Sequence, residues 1–179
     1  MPEYCQSIFK AFSAQGHIES IREIIHDQPR DLELLEGFHT SVMMLDPLCQ
    51  NAHERAYFAA LVKTISLAPT SSFAAWTEFV GLFMMPSFMS NQDFQSFIDQ
   101  DNHVGQLLTI HMFLLDYILG RSFMALSDEP KCPGRKNMVI LWTENIVNNL
   151  PQEYQHCCEW LKEFCLSLAE QDARYLLSP

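Results

Sequence analysis

The sequence is short of basic residues. Its 179 residues include 11 Lys and Arg against 22 Asp and Glu, which gives a formal net charge of −11. A chain of this charge is repelled by the phosphate backbone of nucleic acids and by the anionic surface of membranes. We therefore expect no nucleic-acid partner for this chain alone, and no membrane partner.

Long apolar runs are absent as well. Charged or polar residues interrupt each run before it reaches the roughly 20 residues that a membrane-spanning helix requires. The opening segment, MPEYCQSIFK, lacks the apolar stretch of a secretory signal. These absences predict an intracellular protein, cytoplasmic or nuclear.

The motifs of metal and nucleotide sites are missing too. No Cys-x-x-Cys pair occurs among the six cysteines, and Cys157 and Cys158 are adjacent, which points their side chains about 100° apart on a helix. The single Glu153-x-x-His156 lacks the second copy that a carboxylate-bridged metal site needs. Glycine-rich phosphate loops and Gly-x-Ser-x-Gly are absent. We expect no metal, no cofactor and reduced thiols.

Helical periodicity is present along nearly the whole chain, whereas strand alternation is almost absent. With 48% hydrophobic residues, 179 residues suffice for one sizeable core but are short for two. We predict a compact single-domain all-α array of about seven to nine helices over residues 1–179. The predicted helical segments are 8–12, 18–25, 32–45, 48–67, 73–89, 90–98, 103–119, 138–150 and 152–175, and the clearest loop is SDEPKCPGRK, residues 127–136.

Local capping signals set some of these boundaries. Ser90 is expected to cap a short helix, with Asp93 completing a variant of the capping box. Asn102 or Asp101 is expected to cap the following helix, and Gly120 to end it in a left-handed cap.

His111 is the one polar side chain in the middle of an apolar helical stripe. Six apolar residues share its face at spacings of three and four: Val104, Leu107, Leu108, Leu114, Leu115 and Ile118. The opposite side is also mostly apolar, with Ile110, Met112, Phe113 and Tyr117, so this helix is expected to be central. Two interpretations remain open. The imidazole is either a neutral core group bonded to a backbone carbonyl or a tyrosine, or it lines an internal cavity and exchanges a proton with a molecule there.

The block FQSFIDQDNHVGQLLTIHMFLLDYIL, residues 94–119, resembles the C-terminal part of the regulatory domain in fungal zinc-cluster transcription factors of the sterol-uptake-control type. The segment around His111 matches that family's Ala-His-Tyr/Phe element, with the histidine in register. Downstream, LWTENIVNNLPQEYQHCCEW is similar to the family's Trp-containing helix and Leu-Pro turn. The matching positions there are Trp142, Leu150, Pro151, Tyr154 and Trp160. The resemblance covers residues 45–165 and leaves 1–44 as additional N-terminal helices.

The sequence departs from that family in two respects. Leu161 follows Trp160 where the family has Trp-Pro, and the Cys-x-x-Cys zinc cluster that reads DNA is absent from these residues. The resemblance implies an α-helical domain that binds a large lipophilic, sterol- or terpenoid-like molecule. The aromatic and methionine run 73–89 fits such a pocket, although core packing explains it equally well. The expected ligand-binding residues are Trp76, Phe79, Phe83, Met84, Leu107, Leu108, Leu115 and Trp142.

Two alternatives to a binding domain remain. A stand-alone enzyme of fungal secondary metabolism could use the same pocket for cofactor-independent isomerisation, cyclisation or a pericyclic step, with His111, His39 and Tyr117 as candidate catalytic residues. A protein-interaction module could use the acidic last helix to form a homodimer or to contact a basic partner.

Overall fold

The computed structural model describes the backbone of residues 31–123 and 133–176 and the side chains of residues 31–120 and 136–170. These ranges contain seven α-helices and no strand, which confirms the predicted all-α class. The helices are α1 (Leu32–Met43), α2 (Ala52–Leu67), α3 (Ser72–Met84), α4 (Asn91–Phe97), α5 (His103–Phe123), α6 (Pro133–Asn149) and α7 (Glu159–Leu176). Three 3-10 helices join them: Asp46–Leu48, Met85–Phe88 and Gln152–Cys158. The helical segments predicted at 8–12 and 18–25, and loop residues 127–132, lie outside the described residues.

Polar caps determine where several helices begin. Asn51 and Glu54 form a reciprocal capping box, so α2 begins at Ala52 rather than at the predicted Leu48. The Ser90 hydroxyl accepts a hydrogen bond from the backbone of Asp93, as predicted for α4. The Asn102 side chain accepts one from the Gly105 backbone at 2.8 Å, which confirms the predicted cap of α5.

Helix α5 lies at the centre of the described residues, as its two-sided apolar pattern predicts. It packs against α2, α3 and α6, while α1 packs against α2 and α7. Its leucines and isoleucines, among them Leu107, Leu108 and Leu115, are inaccessible to solvent. Within the described ranges, no helix is both long and apolar enough to cross a membrane.

Several other helix boundaries differ from the prediction, among them those of α1 and α3, which end at Met43 and Met84 instead of 45 and 89. Helix α5 continues past Gly120, which is buried and helical, so the predicted left-handed cap there is wrong. Helix α6 begins at Pro133 instead of Met138, because proline tolerates the first helical position, where no intrahelical N–H bond is needed. The segment from Gln152 to Cys158 is a 3-10 helix that precedes α7.

Candidate functional site

His111 on α5 is fully buried and is hydrogen-bonded through both ring nitrogens. Its Nδ1 lies 2.7 Å from the backbone carbonyl oxygen of Leu107, and its Nε2 lies 3.0 Å from the hydroxyl oxygen of Ser41 on α1. A carbonyl oxygen only accepts, so Nδ1 carries the proton and donates it to Leu107. Nε2 therefore holds a lone pair and accepts from the Ser41 hydroxyl. The pair joins α1 to the central helix.

This environment keeps the imidazole neutral. Burial lowers the pKa of His111 from 6.5 to about 4, and the bond to the Leu107 carbonyl opposes that shift only in part. In serine hydrolases, a serine hydroxyl that donates to imidazole is activated as a nucleophile, and a carboxylate accepts from the other ring nitrogen. In this protein a backbone carbonyl takes the position of that carboxylate. Because Ser41 and His111 are both buried, however, the pair is closed to substrate. The geometry is that of a core histidine whose two ring nitrogens both have hydrogen-bond partners.

Sequence reasoning identified His111 but missed Ser41, which lies 70 positions away. The sequence nevertheless contains a pattern from which the burial of Ser41 could have been predicted. Leu35, Phe38, Ser41 and Val42 occur at spacings of three, four and seven and form the buried face of α1. A single serine inside such a stripe indicates a buried partner.

The other two catalytic candidates do not meet His111. Tyr117 contacts Phe164 at a ring-centroid distance of 6.3 Å, and Phe164 stacks on Trp160, which contacts Phe38. Among these aromatic residues, only Phe38 contacts the His111 ring, at a centroid distance of 5.8 Å. His39 lies in a surface groove that His111 does not line. The structure therefore brings no two of the three candidates together.

The residues that the structure describes form open surface grooves, among them two that contain predicted site residues. The first, which we name the α1–α2 groove, has a volume of about 340 Å³. Its lining residues are Leu32, Leu35, Glu36, His39, Ile65, Ser66 and Pro69. The second, which we name the Met–Phe groove, has a volume of about 560 Å³ and is formed by the end of α3, the following 3-10 helix and α4. Its lining residues are Phe83, Met84, Pro86, Ser87, Met89, Asn91 and Phe94.

The predicted ligand-binding residues are distributed over different parts of the molecule. Phe83 and Met84 line the Met–Phe groove. Trp76 and Phe79 contact each other on α3, 5.7 Å between ring centroids, and line neither groove. The three leucines of α5, Leu107, Leu108 and Leu115, are buried in the core. Trp142 is 41% exposed on α6, where its ring packs edge-on against Phe113 at 4.5 Å.

Phe94 belongs to the Met–Phe groove but was not predicted there. It lies three positions before Phe97, whose ring is buried against Tyr57 at 5.1 Å between centroids. Burial of Phe97 turns the face that holds Phe94 toward the groove. The Ser90 cap and the Phe-x-x-Phe spacing are the signals from which this placement could have been inferred.

The described residues contain no group of three His, Cys, Asp or Glu side chains that could hold a metal ion. Four cysteines there are free thiols, all buried: Cys49, Cys157, Cys158 and Cys165. Burial, aided by the nearby Glu54, raises the pKa of Cys49 to about 11, so its thiol stays protonated at neutral pH. Cys5 and Cys132 lie outside the described residues.

Comparison of the chain with protein-family models, curated proteins and solved structures found no match. The resemblance to fungal regulatory domains therefore stays a prediction. Function has to be argued from the geometry of the described residues.

Proposed function

We propose that this domain binds a neutral lipophilic small molecule in the Met–Phe groove. The observation that supports the proposal is the lining of the groove, which combines two phenylalanines, two methionines and a proline with one hydroxyl and one amide. No lining side chain is ionisable. An ionic ligand would lose its hydration on entering and gain no counter-charge, so the groove favours a neutral one.

The volume of the groove fits a molecule of this kind. A volume of about 560 Å³ lies inside the range of roughly 300–1,000 Å³ found for small-molecule sites. Phe83 is 56% exposed, and covering its ring would remove apolar surface from water. Met84 and Met89 have flexible, polarizable side chains that adapt to irregular apolar shapes.

The two polar side chains can orient the ligand. Ser87 donates its hydroxyl proton to the Met84 carbonyl oxygen at 2.6 Å, and its lone pairs remain able to accept. The amide of Asn91 can both donate and accept. A ligand with one hydroxyl or carbonyl group at its edge satisfies this arrangement, which fits sterols and oxygenated terpenoids.

We further propose that the chain is related to the fungal regulatory domains that it resembles. Support comes from the all-α fold and from the position of the groove, whose residues lie inside the region of resemblance, 45–165. The isomerase or cyclase alternative gains no support from His111, because a buried imidazole with a pKa near 4 lies outside both grooves.

Titration of the purified chain with a fluorescent sterol tests the binding proposal. Phe83→Ser removes the exposed ring, a loss of about 1–2 kcal/mol of apolar contact, so binding should weaken about tenfold or more. Val80→Ser is the matched control, because Val80 is an exposed apolar residue on the same helix outside the groove. Equal binding by wild type and Phe83→Ser, or no saturable binding of neutral lipids, would contradict the proposal.

Mass spectrometry separates binding from catalysis. The chain is incubated with neutral sterols and terpenoids, and both the protein-bound fraction and the supernatant are analysed. We expect a compound retained unchanged at simple stoichiometry. A new isomeric or dehydrated product would instead support an enzyme.

A further inference from the structure

The outward face of α6 presents an apolar stripe that is partly exposed to solvent, although the Trp142 ring also packs against Phe113. Met138 is 38% exposed, Leu141 62% and Trp142 41%. Their spacing of three and four places them on one side of the helix. The opposite side, with Val139 and Thr143 in the middle of the helix, is buried. We name the exposed side the α6 stripe.

The surroundings of the α6 stripe carry few charges: Arg135 and Lys136 precede it in the first turn of α6. Glu144 is the single ionisable residue between positions 137 and 149, and on a helix it lies at the edge of the exposed arc. The stripe is flanked by asparagines: Asn137, Asn145, Asn148 and Asn149. The exposed face of α7 differs sharply, since it carries Glu159, Lys162, Glu163 and Glu170. Most of the acidic charge of the chain therefore lies outside this face.

We propose that the α6 stripe is the surface through which two copies of this chain associate. Two copies, each with a formal charge of −11, repel each other through their acidic faces. They meet the least repulsion where both are neutral. A basic partner would bind the acidic faces instead, and an anionic membrane would repel the whole chain.

Asparagine makes the surface self-complementary. An amide both donates and accepts, so one asparagine face can bond to its own copy, whereas a carboxylate face cannot. In a two-fold dimer each residue of the patch meets the same patch on the partner. If the two-fold axis passes beside Leu141, the two α6 helices run antiparallel. Leu141 then packs against Leu141 of the other copy, and Met138 lies near Asn145 of the other copy. The apolar centre then has an amide rim, as protein interfaces do.

The expected dimer is weak. Helix α6 has 17 residues and is therefore about 25 Å long, so a single helix pair buries less than the roughly 1,200 Å² of stable interfaces. So small an interface is expected to form only at high protein concentration. The dimer is independent of the Met–Phe groove, which none of the stripe residues lines.

Sedimentation velocity of the full chain across low to high micromolar concentration tests the proposal. The wild type should shift from monomer to dimer. Leu141→Lys places two like charges face to face and should weaken the dimer at least about tenfold. Leu166→Lys is the matched control, because Leu166 on α7 is equally exposed at 65% but lies outside the stripe, and it should dimerise as wild type does.

A mixing experiment distinguishes loss of the interface from loss of the fold. Leu141→Lys and Leu141→Glu should each be monomeric alone, and an equimolar mixture should form a heterodimer, since the two-fold axis pairs the opposite charges. Misfolded variants would not be rescued in this way. A wild type that stays monomeric throughout, a Leu141→Lys chain that dimerises normally, or a mixture that stays monomeric would overturn the proposal.

Discussion

The buried imidazole of His111 is expected to make the free energy of unfolding depend on pH. Burial lowers its pKa to about 4 in the folded chain, whereas the unfolded chain titrates near 6.5. As the pH falls, the unfolded state takes up the proton first. The stabilisation is therefore complete above pH 6.5 and is lost as the pH falls toward 4. At about 1.36 kcal/mol per pKa unit, the full effect is on the order of 3 kcal/mol.

Urea unfolding of wild type and His111→Leu between pH 7.5 and pH 4 measures this effect. At neutral pH the variant should lose about 1–3 kcal/mol, because the buried Ser41 hydroxyl loses its acceptor. The difference between the two proteins should shrink below about pH 6.5, so that His111→Leu is at least as stable near pH 4. Ile118→Val, two helical turns along α5, is the control. It should cost about 1 kcal/mol at every pH, because it removes a methyl group and no charge.

Two results would refute this reasoning. A wild-type-minus-variant difference that stays constant from neutral to acidic pH would mean that His111 is not desolvated in the folded chain. A His111→Leu chain more stable than wild type at neutral pH would mean that the histidine costs stability, as functional polar groups do. The second result would reopen the cavity interpretation of the residue.

Three further predictions concern local structure. Gly37→Ala should destabilise the fold by about 1–3 kcal/mol, because the new Cβ would lie 2.6 Å from Nε1 of Trp160. Gly81→Ala, with no atom within 4 Å of its Cβ, should stabilise α3 by about 0.5–1 kcal/mol. Asn102→Ala should cost about 1 kcal/mol, since it removes the cap on the Gly105 backbone. Thermal or urea unfolding checks all three, and a neutral Gly37→Ala would show that the indole moves freely.

The helical stripes could be predicted because burying one face of a helix imposes a period that the sequence displays. Gly120 and Pro133 show where this reasoning fails. A glycine costs a helix roughly 1 kcal/mol, yet Gly120 is helical and buried within α5, which continues to Phe123. Pro133 looked like a loop residue, yet its fixed φ suits the first turn of a helix. Residues with low helix propensity can therefore lie in helices where packing or their position in the helix compensates for the cost.

The candidate site was less predictable than the fold. His111 was identifiable because a polar group in an apolar stripe is rare, but which nitrogen meets which partner depends on how α1 crosses α5. Similarly, Phe83 and Leu107 are both apolar residues on periodic helices, yet one lines an open groove and the other is buried in the core. Periodicity shows which face turns inward. It does not show whether neighbouring helices fill the space there.

The Met–Phe groove and the Ser41–His111 pair differ in how easily their surroundings can move. The pair joins α1 to α5 inside the core, where both partners are fully enclosed and neither can move without breaking a buried hydrogen bond. One wall of the groove is α4, a seven-residue helix with a single buried side chain, Phe97. Elements with so little buried surface open at low free energy. If the proposed ligand binds there, it can widen the groove by moving α4, whose only core anchor is Phe97, while the Ser41–His111 hydrogen bond stays in place.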